Sequence, residues 1–558
     1  MKKFKGLLRV CAALLVLGML AGCTGDAPSS QSSSSSESSE SAGSAREESS
    51  SQENGESGEP VDTSVILPLT EEKVTLTLWT PMDGNSVNVI DSMGESEFFK
   101  QLEERTNVHI EFQHPATGNE ASAYNLMIAG GELPDMIKNG SGYMYPDGLD
   151  AAVEDGYYMD ITNLLPQYAP NYLKAVDNYN SFDPDFKKAV STNEGRMVGI
   201  YQIMTEPQGP FCGLYVRKDW LDDCKLETPV TYEDWETMLT AFKDQKGATA
   251  PLLLPSTGYD VVNHSLSAGW GVSDGFYQEE GVVKYGPIEE GWKNYITMLN
   301  RWYSKGLIDP DFMSSTSIWP DNAMVTTGKT GAFISMYTLI AMYEGANETP
   351  NAEYIPVAAP KVNPEDKVKL NAGGLPVGGY ITISADSPNA EMCLRWLDYL
   401  FTEEGSLFAN YGVEGDTFEF VNGVPTYTDK ITHNDAYSFS QAMAIYSIPP
   451  ARVCLQDWKR ELAAVPEKDI ISYEIWPEAT YENTVPDVSA MGITTEENTE
   501  YAKIMADVKS IVDEKTSQFI TGAVTLDEYD GYLAQLEQQN IARAIEIVQT
   551  VYDRFKAR

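Results

Sequence analysis

VTLTLWTPMDGNSVNVIDSMGESEFFKQLEERTNVHIEF, residues 74–112, carries the pattern that decides the fold. Val74, Leu76 and Leu78 alternate with Thr75 and Thr77 and run into Trp79, the period-two signature of a strand. After a polar loop, Phe98, Phe99 and Leu102 fall at helical spacing, and Val108, Ile110 and Phe112 alternate again. Strand, helix, strand at this spacing predicts a parallel α/β sheet. In such sheets ligands bind beyond the carboxyl ends of the strands. Trp79 ends the first strand, and Asp83 and Asn85 lie in the loop after it, so all three are candidate ligand contacts.

Toward the C-terminus a second α/β region is expected from Leu214. Leu214-Tyr215-Val216 reads as a strand that enters Arg217-Lys218-Asp219-Trp220-Leu221. Thr231, with Asp234 three residues on, predicts a capping box for the helix that contains Trp235. The Gly/Pro-rich stretch from Gly373 to Gly379 leads into a strand, Tyr380 to Ile383, whose small neighbours suit a backbone crossing between lobes. Tyr501, Ile504, Met505, Val508, Ile511 and Val512 form one apolar helical stripe that stops at Gly522. Thr525 and Glu528 predict a further capping box, and a last stripe runs through Ile545, Val548, Val551, Tyr552 and Phe555. Trp220, Trp235, Trp302 and Trp396 occupy apolar helix positions and read as core.

Toward the N-terminus, residues 1–22 read as an export signal. Lys2, Lys3, Lys5 and Arg9 precede an apolar run from Val10 to Leu20, about half the roughly twenty residues that span a bilayer. The boundary Leu20-Ala21-Gly22-Cys23 resembles the lipobox of bacterial lipoproteins, which implies lipidation of Cys23 and anchoring to the extracellular face of the cell membrane. From Thr24 to about Val61 the chain is rich in Ser, Glu and Gly and nearly devoid of apolar side chains. It cannot bury enough surface to offset its ordering entropy and is expected to be a disordered tether, reaching about 35 Å on average. The anchor and tether are assigned to residues 23–68 and the folded body to residues 69–558, too long for one compact core.

The chain has 83 acidic and 39 basic residues, a formal charge of −44. That charge makes nucleic acid and anionic lipid poor partners. Cys212, Cys224, Cys393 and Cys454 remain beyond Cys23, with no CxxC among them, and read as isolated thiols rather than a disulfide framework. The four histidines are scattered and no HExxH pattern occurs, so no zinc site is expected. No cofactor is called for.

Several blocks, in order along nearly all of residues 70–555, resemble the extracellular solute-binding proteins of ABC importers, in their broad sugar-binding group. Leu126 to Ile137, with Gly131-Glu132-Leu133-Pro134-Asp135 at its centre, is similar to an apolar-helix, Gly-acid-x-Pro-Asp, apolar-strand signature. Gly156 to Thr162, Leu214 to Trp235, Trp302 to Phe312 and Gly328-Lys329-Thr330-Gly331-Ala332 are similar to further blocks of that group. Tyr411 to Gly415 and Phe519 to Gly522 resemble late blocks of its large Gram-positive lipoproteins.

The resemblance implies an α/β, two-lobed, periplasmic-binding-protein-like (type II) fold with C-terminal helices. It places a solute in the cleft between the lobes, with hinge closure around it. Lobe 1 is expected at about residues 69–195 and 376–440, and lobe 2 at about 196–375 and 441–558. The implied partners are a small-molecule solute, an oligosaccharide first of all, and separate permease subunits, with the binding protein itself a monomer. No GxxxxGK[ST] loop is present, so nucleotide hydrolysis belongs elsewhere. Some large members carry an Asp/Asn-rich calcium loop; the corresponding stretch here, Phe242 to Pro251, lacks the oxygen-rich spacing, and no metal is expected.

Sugars pair flat CH faces with rings of hydroxyls, so aromatic platforms and amides or carboxylates are the side chains to look for. Besides Trp79, Asp83 and Asn85, the candidates are Asn139 (with Lys138) at the end of the strand after Pro134-Asp135, and Trp270 between Gly269 and Gly271. Tyr380 at the crossing strand is another, and Tyr337 follows the Gly331 strand where the resembling proteins commonly offer an aromatic. Asp135 reads as a local loop or helix cap. The alternatives are a solute-sensing receptor, which has the same sequence features, and a secreted glycosidase with paired carboxylates. No nucleophile motif such as GxSxG appears, and the chain is read as a non-enzyme.

Overall fold

The computed structural model describes residues 63–140, 142–208, 210, 212–254, 265–315, 320–368, 379–449, 452–476 and 483–558. The expected signal, Cys23, most of the tether and residues 373–378 of the Gly/Pro-rich stretch lie outside the described residues.

In chain order the strands that build the lobes and their crossings are β1 (Val74–Trp79), β2 (Val108–Gln113), β3 (Met136–Asn139), β4 (Gly199–Tyr201), β5 (Ile203–Met204), β6 (Cys212–Arg217), β7 (Ala332–Met336), β8 (Tyr354–Val357), β9 (Tyr380–Ile383) and β10 (Leu455–Gln456). The principal helices are α1 (Glu97–Thr106), α2 (Glu120–Gly130), α3 (Pro170–Tyr179), α4 (Tyr232–Lys246), α5 (Glu290–Ser304), α6 (Ala390–Tyr399), α7 (Thr495–Thr521), α8 (Tyr529–Gln538) and α9 (Ile541–Ala557).

The opening stretch folds as its pattern dictates. Ser96 caps α1 by accepting from the Phe99 N–H at 3.2 Å, and Asn107 ends the helix in the left-handed region at φ 57°. The chain returns as β2, parallel to β1 with Val74 opposite Val108. β3 joins β1 on its other side, again parallel, and β9 then inserts antiparallel between β3 and β4, giving the order β2-β1-β3-β9-β4. Leu76, Leu102, Met136, Ile383, Leu394 and Trp396 share the core of this lobe.

The second sheet has β6 at its centre, antiparallel to β7 and β8. A separate core packs Trp235, Leu239 and Phe242 of α4 with Trp292, Leu299 and Trp302 of α5 and Val508, Val512 and Phe519 of α7. Two cores with two sheets make two lobes. The four tryptophans read as core are buried as expected, Trp220, Trp235 and Trp302 here and Trp396 in the first lobe. The capping box of α4 forms, with Thr231 Oγ1 accepting from the Asp234 N–H and Asp234 accepting from the Thr231 N–H. In the Arg-Lys-Asp-Trp-Leu block, Arg217 forks onto Asp219 at 2.7 and 2.6 Å while its guanidinium lies 4.6 Å from the Trp220 ring centre. That block is therefore a packing unit.

Three segments cross between the lobes: β4 through β6, the return from β8 to β9, and the stretch through β10, which pairs parallel with β5. β4 pairs in the first sheet, and Ile448, Val453 and Cys454 sit in the core of the first lobe. Backbone pairing with β9 and burial on the first core decide these memberships, and neither leaves a local sequence signal.

The C-terminal helices are present. α7 is started by a capping box of Thr494 and Glu497 and stopped by Gly522 at φ 76°. The box expected from Thr525 and Glu528 does not form. Residues 526–528 make a single 3-10 turn, so Glu528 stands immediately before α8 instead of inside it, and the Thr525 side chain makes no cap hydrogen bond. The end of α9 reaches the first lobe, where Lys556 pairs with Asp185 at 2.6 Å and Arg558 donates to the Ser191 carbonyl at 3.2 Å.

Candidate functional site

The carboxyl ends of β1 and β3 meet the three crossings at one place. Tyr380 of β9 stands opposite Asn139 of β3 on one side and Tyr201 of β4 on the other. Gln202, between β4 and β5, donates its N–H to the Gly379 carbonyl at 3.2 Å, and its side-chain amide meets that of Gln456 in β10. The Ile203 N–H is bonded to the Cys454 carbonyl at 3.2 Å. Amides, tyrosines and backbone from all three crossings thus lie side by side, the arrangement a hinged cleft floor requires.

Asn139 is fully buried and fully occupied. Its Nδ2 donates to the Ile137 carbonyl and to Thr382 Oγ1, both at 3.0 Å, and its Oδ1 accepts from Tyr158 Oη at 3.0 Å. Tyr124 Oη joins this network through Tyr158. Burial raises the pKa of both phenols, which stay protonated donors. Trp79 packs edge-on to Tyr124 and Tyr143, each with ring centres 5.8 Å apart, and is buried. The structure therefore brings Trp79 and Asn139 together through Tyr124, as one packed and hydrogen-bonded unit beneath the strand ends.

Asp83 and Asn85 form a turn, the Asp83 carboxylate accepting from the Asn85 N–H at 2.9 Å, and both side chains are part-exposed. Tyr380 is half-buried with its ring 4.7 Å from that of Tyr201. Trp270 and Tyr337 lie in the second lobe. Trp270 ends a 3-10 turn whose Gly271 takes φ 74°, and its ring stacks on Tyr232 at 5.2 Å. Tyr337 follows β7 and is buried beside Tyr215, Phe333 and Trp476. No cofactor or metal binding follows from this geometry: among the described residues no three His, Cys, Asp or Glu side chains are grouped so as to hold an ion.

Asp135 does more than cap a loop. Its carboxylate accepts from the Thr77 N–H and Oγ1, both at 2.9 Å, and from Ser387 Oγ at 2.6 Å and Asn389 Nδ2 at 3.1 Å, tying β1 to the start of α6. Partial burial would raise its pKa, but these donors outweigh it and hold the pKa below the ordinary carboxylate value.

Three participants were not legible in the sequence: Arg452, Gln456 and Trp476. Arg452 Nη2 donates to the Pro81 carbonyl at 3.0 Å, just past the end of β1. Trp476 lies against β6, where Gly213 gives it room; a Cβ on Gly213 would fall 2.4 Å from the indole. All three depend on the third crossing, whose partners are far away in sequence.

The profile of the family described as bacterial extracellular solute-binding protein matches residues 92–406, more than half of the chain. The chain belongs to that family. This solute-binding protein is similar to the fructooligosaccharide ABC transporter substrate-binding protein FusA of Streptococcus pneumoniae serotype 4, with 24% identity over 88% of this chain and 92% of the relative. It is 25% identical to lipoprotein LipO of Bacillus subtilis strain 168, over 78% of this chain and 84% of the relative. In fold it is similar to an "HMO binding" ABC-transporter-associated solute-binding protein of Bifidobacterium longum infantis, with a TM-score of 0.68 at 19% identity, covering 87% of this chain and 99% of the other. The FusA structure in complex with kestose gives a TM-score of 0.66 at 20% identity, with 87% and 99% covered. The solute-binding fold with two lobes is thereby established, and none of the described helices is long and apolar enough to cross a membrane.

Proposed function

We propose that this protein captures a carbohydrate, an oligosaccharide first of all, outside the cell and delivers it to an ABC importer by hinge closure, without turning it over. The observation that carries the reading is the meeting of amides and tyrosines from three lobe crossings at the carboxyl ends of β1 and β3, in a chain of the solute-binding family. Relatives named for fructooligosaccharide transport and for oligosaccharide binding support the solute class. Tyr380, Trp270, Asp83 and Asn85, the part-exposed candidates, are the proposed direct contacts; buried Trp79, Asn139 and Tyr337 support the surfaces that carry them. Lipidation at Cys23 and a monomeric body working with separate permease subunits complete the proposal.

Calorimetry of the full chain in detergent with kestose and a panel of longer oligosaccharides, followed by chromatography of the recovered sugar, tests it. Saturable binding with the sugar recovered intact is the expected result. Steady release of shorter sugars would overturn the non-catalytic reading.

A further inference from the structure

One group at the crossings has no use in binding a neutral sugar. Lys138 of β3 is buried, 3% exposed, and among the described residues its Nζ donates only to the Asn139 carbonyl, at 3.2 Å. The ammonium reaches toward the hinge because position 379 is glycine: a Cβ there would fall 1.6 Å from Nζ. Arg452, on the third crossing, is half-buried; its Nη2 bonds the Pro81 carbonyl, and its Nε is buried with no hydrogen-bond partner. Neither cation has an ion-pair partner among the described residues, whereas buried Arg217 is paired with Asp219.

Among the described residues no carboxylate acts on Lys138; Glu120 acts on Tyr143. His114 accepts from the Met93 N–H through Nε2 at 3.2 Å and faces the Thr80 carbonyl through Nδ1 at 2.7 Å, so its single proton is on Nδ1 and the ring is neutral. Burial first, and Arg452 second in opposition to the Thr80 bond, keep its pKa low. Tyr143, Tyr201 and Tyr380 have pKa values raised by burial and remain neutral phenols. Burial, with Arg452 adding to it, lowers the Lys138 ammonium to about 7. An unpaired buried cation is costly to a fold, and two facing one region, in a chain with 83 acidic residues to choose from, mark a place kept for an incoming anion.

We propose that the solute carries an acidic group, the carboxylate of a uronic acid or a sulfate ester, and that Lys138 and Arg452 receive it at the hinge. The inference rests on the carbohydrate reading and names the class of carbohydrate. Binding then draws a proton onto Lys138. His114 and the three tyrosines stay neutral, so Lys138 sets the pH dependence near neutrality.

The test is calorimetry of the full chain with four probes: the trisaccharide of α-1,4-linked galacturonic acid, its methyl ester, a sulfated galactan trisaccharide, and kestose. An acidic probe is expected to bind at least tenfold more tightly than the neutral ones, and which acidic probe does so tells carboxylate from sulfate. Its affinity should fall about tenfold from pH 6 to pH 8, with proton uptake seen as a buffer-dependent heat. Lys138→Met should abolish the uptake and the preference while leaving the thermal midpoint unchanged or higher, since it removes an unpaired buried charge. Arg452→Gln provides the second variant and should weaken the same probe. Neutral probes binding as tightly as acidic ones would overturn the inference and leave carbohydrate capture standing. Acidic binding unchanged in both variants would also overturn it. Failure of all four probes would overturn both readings.

Discussion

Asp135 shows how much one side chain of this fold can hold. It collects four hydrogen bonds from residues up to 254 positions away. Asp135→Asn keeps the shape but turns one acceptor into a donor facing other donors, so a loss of roughly 1–3 kcal/mol in urea unfolding at pH 7 is expected. Because the folded-state pKa lies below the unfolded one, the stabilisation is complete above about pH 4 and disappears as pH falls through the folded value. The wild-type and Asn variant curves should therefore draw together as pH falls below the unfolded-state value; a gap that stays constant through that fall would contradict the account. Thiol chemistry gives a second check at this scale. The four described cysteines form no disulfide with one another, with Cys212, Cys393 and Cys454 buried and Cys224 part-exposed. Burial pushes the Cys454 thiol up to about 12. In the native protein Ellman's reagent should consume Cys224 first, and the other three only on unfolding.

Among the elements, the two threonines that both looked like helix caps make a paired experiment. Thr494 bonds the Glu497 N–H at 3.3 Å and starts a 27-residue helix, while Thr525 makes no side-chain cap. Thr494→Ala should cost about 1 kcal/mol in denaturant unfolding and Thr525→Ala a few tenths at most. Equal effects would mean that the turn before α8 has been misjudged. The contrast also marks where sequence stops being informative. The β-α-β start, the Thr231 box, the stop at Gly522 and the core role of four tryptophans were legible because periodicity and capping are local. The Thr525 pattern is local too, but a 3-10 turn satisfies the same residues and shifts the start by a few positions. Trp79 and Asn139 were placed correctly at strand ends, yet only three-dimensional packing shows that Tyr124, Tyr143 and Tyr158 enclose them. Arg452 had no local pattern at all, since its partner Pro81 and its neighbour Lys138 lie far away in sequence.

Across the whole molecule, three crossings paired side by side suit a hinge, and solute should draw the lobes together. Small-angle scattering with and without a bound sugar is expected to give a smaller radius of gyration in the bound state, and an unchanged radius at saturation would argue against closure. The proposed anchor is tested separately: Cys23→Ser should release a binding-competent protein into the medium and impair uptake. The order of strands in the first sheet has a further consequence, for how the chain reaches this state. β9 lies between β3 and β4, yet Thr382, which bonds Asn139, follows it by 243 residues. A chain made from its N-terminus therefore carries an incomplete first sheet, with two open edges, until most of the second lobe has been synthesised. Contacts of such long range slow folding and leave strand edges available for mispairing in the interval. The second sheet, continuous between β6 and β8, can pair before β9 is made, but the core behind it still lacks α7 at that point. A fragment ending near residue 360 lacks both β9 and α7 and is thus expected to be digested by a protease concentration that the full chain resists.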